Sequence, residues 1–472
     1  MTAVFSYVRK SPVLRNFSIL TASNIFSQLL SILTSIKVAR ILEPAIYGTY
    51  NLLQLHTSIF VIIASIGLKN IVVRTVARDK GNSKKVFLIS LLIRIIGIVF
   101  SLIAYTIYFY YSKGYGGFLF FLTLASITIS AFYDLIEGVA FGLEKMEFTG
   151  IISLANNIVW VIIILLIPKQ YFNLDVLFSV FVGLNLLKTL VYIFSIYKFN
   201  YFTGDFSGHN LKYDLKEMTR DSMPYYYLAI LTLLSNQIPV LFLEHRSGVA
   251  EVAYYNVANK VLSPMSLILN TALTALFPNL AKLFVADRKG FSERIKNIFL
   301  IMSLLGIIGA FGVTFFLKEI ILIIYGEKYL NTSLVLGYQC WYMAIYSLVC
   351  LIGTVLGVID RQKQLSRLSI ICTLLQVPIL WVGAKYGAEY LSLSFLIATA
   401  ISLLFHIATL KRFLKHDLSY SFFIKIIALF ALAYVVSISV LRFNLGIKIL
   451  LFTGISIFGV YILYRKYKVV KA

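Results

Sequence analysis

Three basic side chains sit where a charge is expensive. Arg94, Lys188 and Lys260 each fall inside an apolar run, seven or eight residues from its nearer end. At about 1.5 Å of rise per residue, eight residues of helix is roughly 12 Å of depth. A charge near the centre of a bilayer costs roughly 2.5–3.5 kcal/mol even on the lenient insertion scale, so each of the three needs a reason to be there. Helical spacing gives all of them polar company. Ser90, Arg94, Gly97 and Ser101 share one face, as do Asn185, Lys188, Tyr192 and Ser195, and as do Asn256, Lys260, Ser263 and Asn270. Three uncharged stripes join them: Asn24, Gln28, Ser31 and Ser35; Asn51, Gln54, Ser58 and Ser65; and Tyr225, Thr232 and Asn236, with Gln237 and Pro239 just beyond.

The chemistry these types offer is recognition. Cations hold phosphate oxygens, while amides and tyrosines suit the hydroxyls and faces of sugars. A charged stripe points into a bundle or a wet cavity, not at lipid; the alternative is interhelical hydrogen bonding that only holds helices together. The expectation is a cavity lined by Lys260, Arg94, Lys188, Asn24, Gln28, Asn51, Gln54, Asn236 and Asn256. Lys69, Arg74 and Arg78, just past the second apolar run, would gather an anionic headgroup at a cytoplasmic entrance. Asp134 and Lys425 lie about one turn from a helix end and read as snorkelling charges.

Other chemistries are missing from the sequence. There is no phosphate-binding GxxxxGK[ST] loop, no GxSxG, no HExxH and no carboxylate pair in a large loop. His56, His209, His245, His406 and His416 are scattered, and Cys340, Cys350 and Cys372 fall in apolar runs without metal-ligand spacing, which reads as core packing. No enzyme, metal or cofactor is expected.

The elements that must position these residues follow from composition. Of 472 residues 60% are apolar and only 13% charged, with a mean hydropathy of +0.87, against about 25% charged in a soluble domain. A spanning helix needs about 20 apolar residues. Fourteen such runs can be marked: 16–36, 48–68, 86–111, 117–138, 148–168, 175–196, 222–243, 253–281, 297–317, 333–357, 365–384, 388–410, 421–441 and 446–464. The first follows Arg9, Lys10 and Arg15 and has no small-residue cleavage site, so it is expected to stay as a span. The net charge of +23 would suggest nucleic acid in a soluble chain. Here the Lys and Arg residues crowd alternate loops, favouring one side by nearly three to one, which places both termini and the 197–221 stretch in the cytoplasm and leaves no nucleic-acid partner to expect.

An internal repeat supports two lobes. At a spacing of 205 residues, Glu43-Pro-Ala-Ile-Tyr-Gly-Thr-Tyr-Asn-Leu-Leu lies over Gly248-Val-Ala-Glu-Val-Ala-Tyr-Tyr-Asn-Val-Ala, matching Ala45 to Ala250, Tyr50 to Tyr255 and Asn51 to Asn256. The expected organisation is a cytoplasmic N-terminus (1–15), an N-lobe of six spans (16–196), a linker (197–221), a C-lobe of six spans (222–411), and a last pair of spans with a basic tail (412–472). Parallel repeats of this kind are one arrangement used by alternating-access transporters.

Several segments carry a resemblance in their order and spacing: Asn16-Phe-Ser-Ile-Leu, Val38-Ala-Arg-Ile-Leu-Glu-Pro-Ala-Ile-Tyr-Gly-Thr-Tyr, Arg74-Thr-Val-Ala-Arg, Ala253-Tyr-Tyr-Asn-Val-Ala-Asn-Lys and Ala275-Leu-Phe-Pro-Asn-Leu. Over nearly its whole length the chain resembles the polysaccharide flippases, of O-antigen and teichoic-acid type, of the multidrug/oligosaccharidyl-lipid/polysaccharide exporter superfamily. The resemblance implies an all-α fold of about fourteen spans and a central cationic cavity. It also implies export of a polyprenyl-diphosphate-linked glycan across the cell membrane, with a polysaccharide polymerase and glycosyltransferases as partners and spans 13 and 14 accommodating the lipid tail. Two sister families are the alternatives. Lipid II flippases carry arginines and an acidic residue in the first helix, where this chain has Gln28, Thr34 and Ser35. Drug/cation antiporters need an N-lobe carboxylate, for which Asp134 is the one candidate within a span. A non-transporting scaffold for glycan assembly is a further alternative. Energetics favour an anion: at about 2.3 kcal/mol per charge per 100 mV, exporting two negative charges gains nearly 5 kcal/mol at an inside-negative potential.

Overall fold

The computed structural model describes residues 12–112, 116–198, 203, 211–414, 419–440 and 443–457, with side chains from 19 onward. The described residues are helical and contain no strand. Among the described residues twelve helices are long and apolar enough to cross a membrane, thirteen when one bent pair is taken as a span. A shorter apolar helix, Leu445–Ile457, begins where the fourteenth span was expected; residues from 458 on lie outside the described residues. The chain is a multi-pass membrane protein of the all-α class expected from its hydropathy.

By packing, the chain divides into two compact units, residues 1–238 and 239–472. The first holds α1 (Pro12–Ile41), α2 (Pro44–Ser65), α3 (Leu68–Arg78), α4 (Ser83–Ser112), α5 (Gly117–Gly142), α6 (Met146–Leu166), α7 (Leu174–Lys198) and α8 (Leu211–Asn236). Within it α1 packs along α6, α2 along α4 and α5, α3 along α5, and α5 along α7.

The second expected span is broken. Ile66 and Gly67 both adopt left-handed backbone, and α3 leaves α2 at 53°. Crowding by α8 accounts for the glycine: a Cβ on Gly67 would stand 2.5 Å from the Ser222 carbonyl oxygen and 2.6 Å from Tyr226 N. Beyond the break α3 is amphipathic. Leu68, Ile71, Val72 and Val76 are buried in a cluster with Ile89, Ile93, Leu135, Val139 and Met218, while Lys69, Arg74 and Arg78 take the other side.

The seventh span also differs from expectation. Its helix, α8, begins at Leu211, inside the stretch read as a linker. Lys212 to Arg220 is polar but lacks Gly and Pro, so nothing in it breaks a helix, and one side of this helical segment is anchored. Met218 packs into the α3 cluster, Asp214 pairs with Lys85 at 3.0 Å, and Asp221 accepts from Arg74 at 2.7 Å. Residues 204–210, including His209, lie outside the described residues.

The second unit holds α9 (Ile238–Ser247, whose first residue closes the first unit), α10 (Val249–Ala286), α11 (Arg288–Phe315), α12 (Leu317–Ile324), α13 (Thr332–Val358), α14 (Gln362–Gly383), α15 (Ala388–Phe413), α16 (Tyr420–Val440) and α17 (Leu445–Ile457). Here α13 is central, packing on α10, α11 and α15. Its Trp341 is buried, with the indole N–H donating to Thr314 Oγ1 at 3.1 Å, which satisfies the one polar atom of a large apolar ring. Cys340 is buried beside it, Cys350 and Cys372 are half-buried, and all three are free thiols.

Candidate binding cavity

A cavity of about 360 Å³ opens among four helices of the first unit. Two of its walls come from runs with the same spacing. On α6 the liners are Ser153, Asn156, Asn157 and Trp160; on α7 they are Phe181, Leu184, Asn185 and Lys188. Each set is i, i+3, i+4, i+7, one face of a helix. Tyr50 and Gln54 of α2 and Ser31 of α1 complete the wall, with Gln54 Nε2 donating to Tyr50 Oη at 2.8 Å. Four side-chain amides, two hydroxyl-bearing residue types and an indole thus surround one ammonium. Trp160 Nε1 and the amides offer both flat apolar surface and paired donors and acceptors, the combination that matches a sugar ring and its hydroxyls.

The cation is Lys188, and its seat is aromatic. Its Nζ lies 3.8 Å from the centre of the Tyr133 ring, a cation–π contact from α7 to α5. Tyr133 Oη is 3.3 Å from Ser153 Oγ on the cavity wall and donates toward Glu137 at 3.4 Å. From Glu137 a chain of ion pairs runs into the unit. Lys69 donates to Glu137 and stands 3.2 Å from Asp134 Oδ1. Arg94 Nη2 donates to Asp134 Oδ2 at 2.9 Å.

The expected cavity residues therefore separate. Lys188 and Gln54 meet in one cavity. Arg94 is wholly buried, at 0% exposure, and belongs to the ion-pair chain; its Nε and Nη1 find no hydrogen-bond partner among the described residues. The stripe around it is a packing seam: Ser101 donates to the Phe60 carbonyl at 2.6 Å, and a Cβ on Gly97 would lie 2.4 Å from the Ala64 carbonyl. Small residues let α2 and α4 approach closely, which is what such stripes do between membrane helices. Asp134 does not snorkel as a lone charge. It is bound by two cations, and Glu137, one turn further along α5, is a second carboxylate within that helix, where the sequence reading saw one.

The remaining candidates lie elsewhere. Asn51 Nδ2 donates to the Tyr47 carbonyl at 2.7 Å, and Ser35 of the α1 stripe is hydrogen-bonded to Tyr47 Oη at 2.8 Å, so this part of the polar surface ties α1 to α2. Asn24 is exposed and Gln28 half-buried on α1. Asn236 is exposed on α8, its Nδ2 donating to Thr232 at 3.1 Å. Lys69 and Arg74, expected at an entrance, are in ion pairs, while Arg78 is exposed. In the second unit Asn256 and Lys260 are half-buried on one face of α10 with Ser263, and Asn256 Nδ2 donates to the Val252 carbonyl at 2.9 Å. That unit has its own cavity of about 610 Å³, lined by Glu251, Tyr254, Lys318, Asn331, Glu389 and Lys448 among others.

With this geometry in view, comparison with known families is decisive at one level. The family described as polysaccharide biosynthesis protein matches residues 13–284, more than half of the chain. The chain belongs to that family. The MatE family also matches, over residues 224–382. No curated protein matches the chain by sequence.

Solved structures agree on the fold of this family member. A lipid II flippase, MurJ, in an inward closed conformation superposes with a TM-score of 0.72 at 16% identity, over 95% of this chain and 99% of that one. An inward-facing multidrug resistance MATE transporter of the MOP superfamily gives 0.62 at 15% identity, over 83% and 96%. A Vibrio cholerae MATE transporter, VcmN, gives 0.57 at 14%, over 90% and 100%. At such identities the likeness is one of fold: the family member carries the fold of the flippases and transporters of that superfamily.

What the sequence reading missed in this family member is the α6 wall. Asn156, Asn157 and Trp160 carry no charge to draw notice, yet their spacing with Ser153 was the available signal.

Proposed function

We propose that this protein is a flippase that moves a polyprenyl-diphosphate-linked oligosaccharide from the cytoplasmic to the outer leaflet of the cell membrane by alternating access, for export of a surface polysaccharide. The observation that carries this reading is the cavity of the first unit, where Lys188 meets amides and Trp160 with no carboxylate partner among the described residues. A phosphate takes the ammonium; sugar hydroxyls take the amides, and a sugar face takes the indole. Membership of the polysaccharide biosynthesis protein family supports the glycan, and the fold shared with a lipid II flippase supports a lipid-linked one.

The second unit offers a place for the lipid. An apolar groove of about 380 Å³ runs among α13, α15 and α16, lined by Trp341, Ile401, Leu404, Ile427, Phe430 and Tyr434 among others. It is the kind of surface a prenyl chain covers, and it includes the thirteenth span, as the family resemblance implies.

A cation antiporter is the reading that the carboxylates of α5 would favour. Both are already engaged, Asp134 by Arg94 and Lys69, and Glu137 by Lys69. In this cluster, among the described residues, Arg94, Lys69 and Lys188 stand against Asp134 and Glu137, so its surplus charge is positive and suits an anion. Reconstitution tests the proposal. Purified protein in liposomes is expected to expose a fluorescent polyprenyl-diphosphate sugar to an outer-leaflet quencher faster than protein-free liposomes do. Equal rates with and without the protein overturn the reading and favour a scaffold.

A further inference from the structure

We infer that Lys69 and Arg94 are positioning residues, holding Asp134 and Glu137 so that Lys188 keeps an uncompensated charge for the anionic part of a ligand. The inference rests on the reading of the cavity as a phosphate-glycan site and says how that site is kept ready. Neither Lys69 nor Arg94 lines the cavity.

The geometry is a linear chain of contacts with an odd number of cations. Arg94, without exposure, takes Asp134; Lys69 spans Asp134 and Glu137; Lys188 comes last. No carboxylate oxygen stands within 4.0 Å of Lys188 Nζ among the described residues. The ammonium rests on the face of Tyr133 instead. A ring face stabilises a cation through its quadrupole but does not neutralise it, so an anion arriving from the cavity still meets an ammonium without a carboxylate in contact. Tyr133 itself is fixed from both sides of its hydroxyl, by Ser153 at 3.3 Å and by Glu137 at 3.4 Å.

Glu137 is the threat to this arrangement. It is one helical turn from Tyr133, and its field already acts on Lys188. Lys69 now occupies it. Without Lys69, the ammonium nearest to hand for Glu137 is that of Lys188, and an internal ion pair would have to break before any ligand anion could bind. Arg94 does the same one step back, since without it Asp134 would draw Lys69 away from Glu137.

The test is titration of full-length protein in detergent micelles with farnesyl diphosphate, a short polyprenyl diphosphate, by calorimetry. Lys188→Gln is expected to weaken binding about tenfold, the loss of one charge-assisted contact. Lys69→Gln is expected to weaken it by a similar factor, although it touches no cavity wall. The double change Lys69→Gln with Glu137→Gln is expected to return affinity to within about twofold of the parent, which a structural role for Lys69 would not produce. Glu137→Gln alone is expected to bind as tightly as the parent or tighter, and this holds as a test even where Lys69→Gln fails to fold. Unchanged binding by Lys69→Gln, a double variant as weak as the single, or weaker binding by Glu137→Gln overturns the inference while Lys188-dependent binding leaves the cavity reading standing. A parent protein that does not bind the probe, or binds it equally with Lys188→Gln, overturns the cavity reading and this inference together.

Discussion

The two units each hold a polar cavity, and the larger one is the less suited to an anion. In the second unit Glu251 and Glu389 face Lys318 and Lys448 around about 610 Å³, two charges of each sign. Part of that charge is spent on structure: Glu251 Oε2 accepts from Ala388 N at 2.6 Å, capping α15, and Lys448 stands 3.8 Å from Glu319. In the first unit the smaller cavity meets Lys188, while the carboxylates nearby are held by other cations. Size alone does not mark a binding site. What distinguishes the first cavity is a charge left over after the internal pairs are matched, next to amides and an indole.

The comparison is broken most severely at Asp134. Asp134→Ala would leave Arg94 wholly buried without its carboxylate, a loss on the order of 3–5 kcal/mol, so we expect sharply lower thermal stability and yield in fluorescence-detected size exclusion. A folded variant within a few degrees of the parent would mean that Arg94 is not held as described. Trp160→Ala is a smaller change confined to the cavity. With one stacking face gone, at roughly 0.5–1.5 kcal/mol beyond buried area, affinity for a soluble lipid-linked sugar analogue should fall about tenfold at unchanged stability. Retained affinity would remove the indole from the account. Glu251→Gln sharpens the comparison from the other unit. It keeps an acceptor for Ala388 N, so stability should fall by about 1 kcal/mol or less and the transport rate should stay within about twofold. A large loss of transport there would shift the site to the second unit.

Much of the fold was legible in the sequence because lipid forces a simple rule: about 20 apolar residues per helix, with backbone bonds satisfied inside it. The break at Ile66–Gly67 was not, because it lies inside an apolar run and is imposed by Ser222 and Tyr226, far along the chain. Position in a span gave the depth of Asp134 but not its direction, and direction is what joins it to Arg94 and Lys69. The polar stripes are visible in the sequence as helical spacing. The uses of such stripes are not separable by spacing, since a serine donating to a neighbouring carbonyl, as Ser101 does, has the same spacing as one lining a cavity, as Ser31 does. Lys188 was identified by its charge; Asn156, Asn157 and Trp160, on the facing helix, required the neighbouring wall to become visible.

The most direct measurement compares Lys188→Gln with Lys425→Ala in liposomes, at matched protein amount and thermal stability, following arrival of a fluorescent polyprenyl-diphosphate sugar in the outer leaflet. Lys188 lines the cavity, whereas Lys425 is exposed on α16. The account predicts about a tenfold slower rate for Lys188→Gln, as for loss of one charged contact, and a parental rate for Lys425→Ala. Parental transport by Lys188→Gln would contradict it.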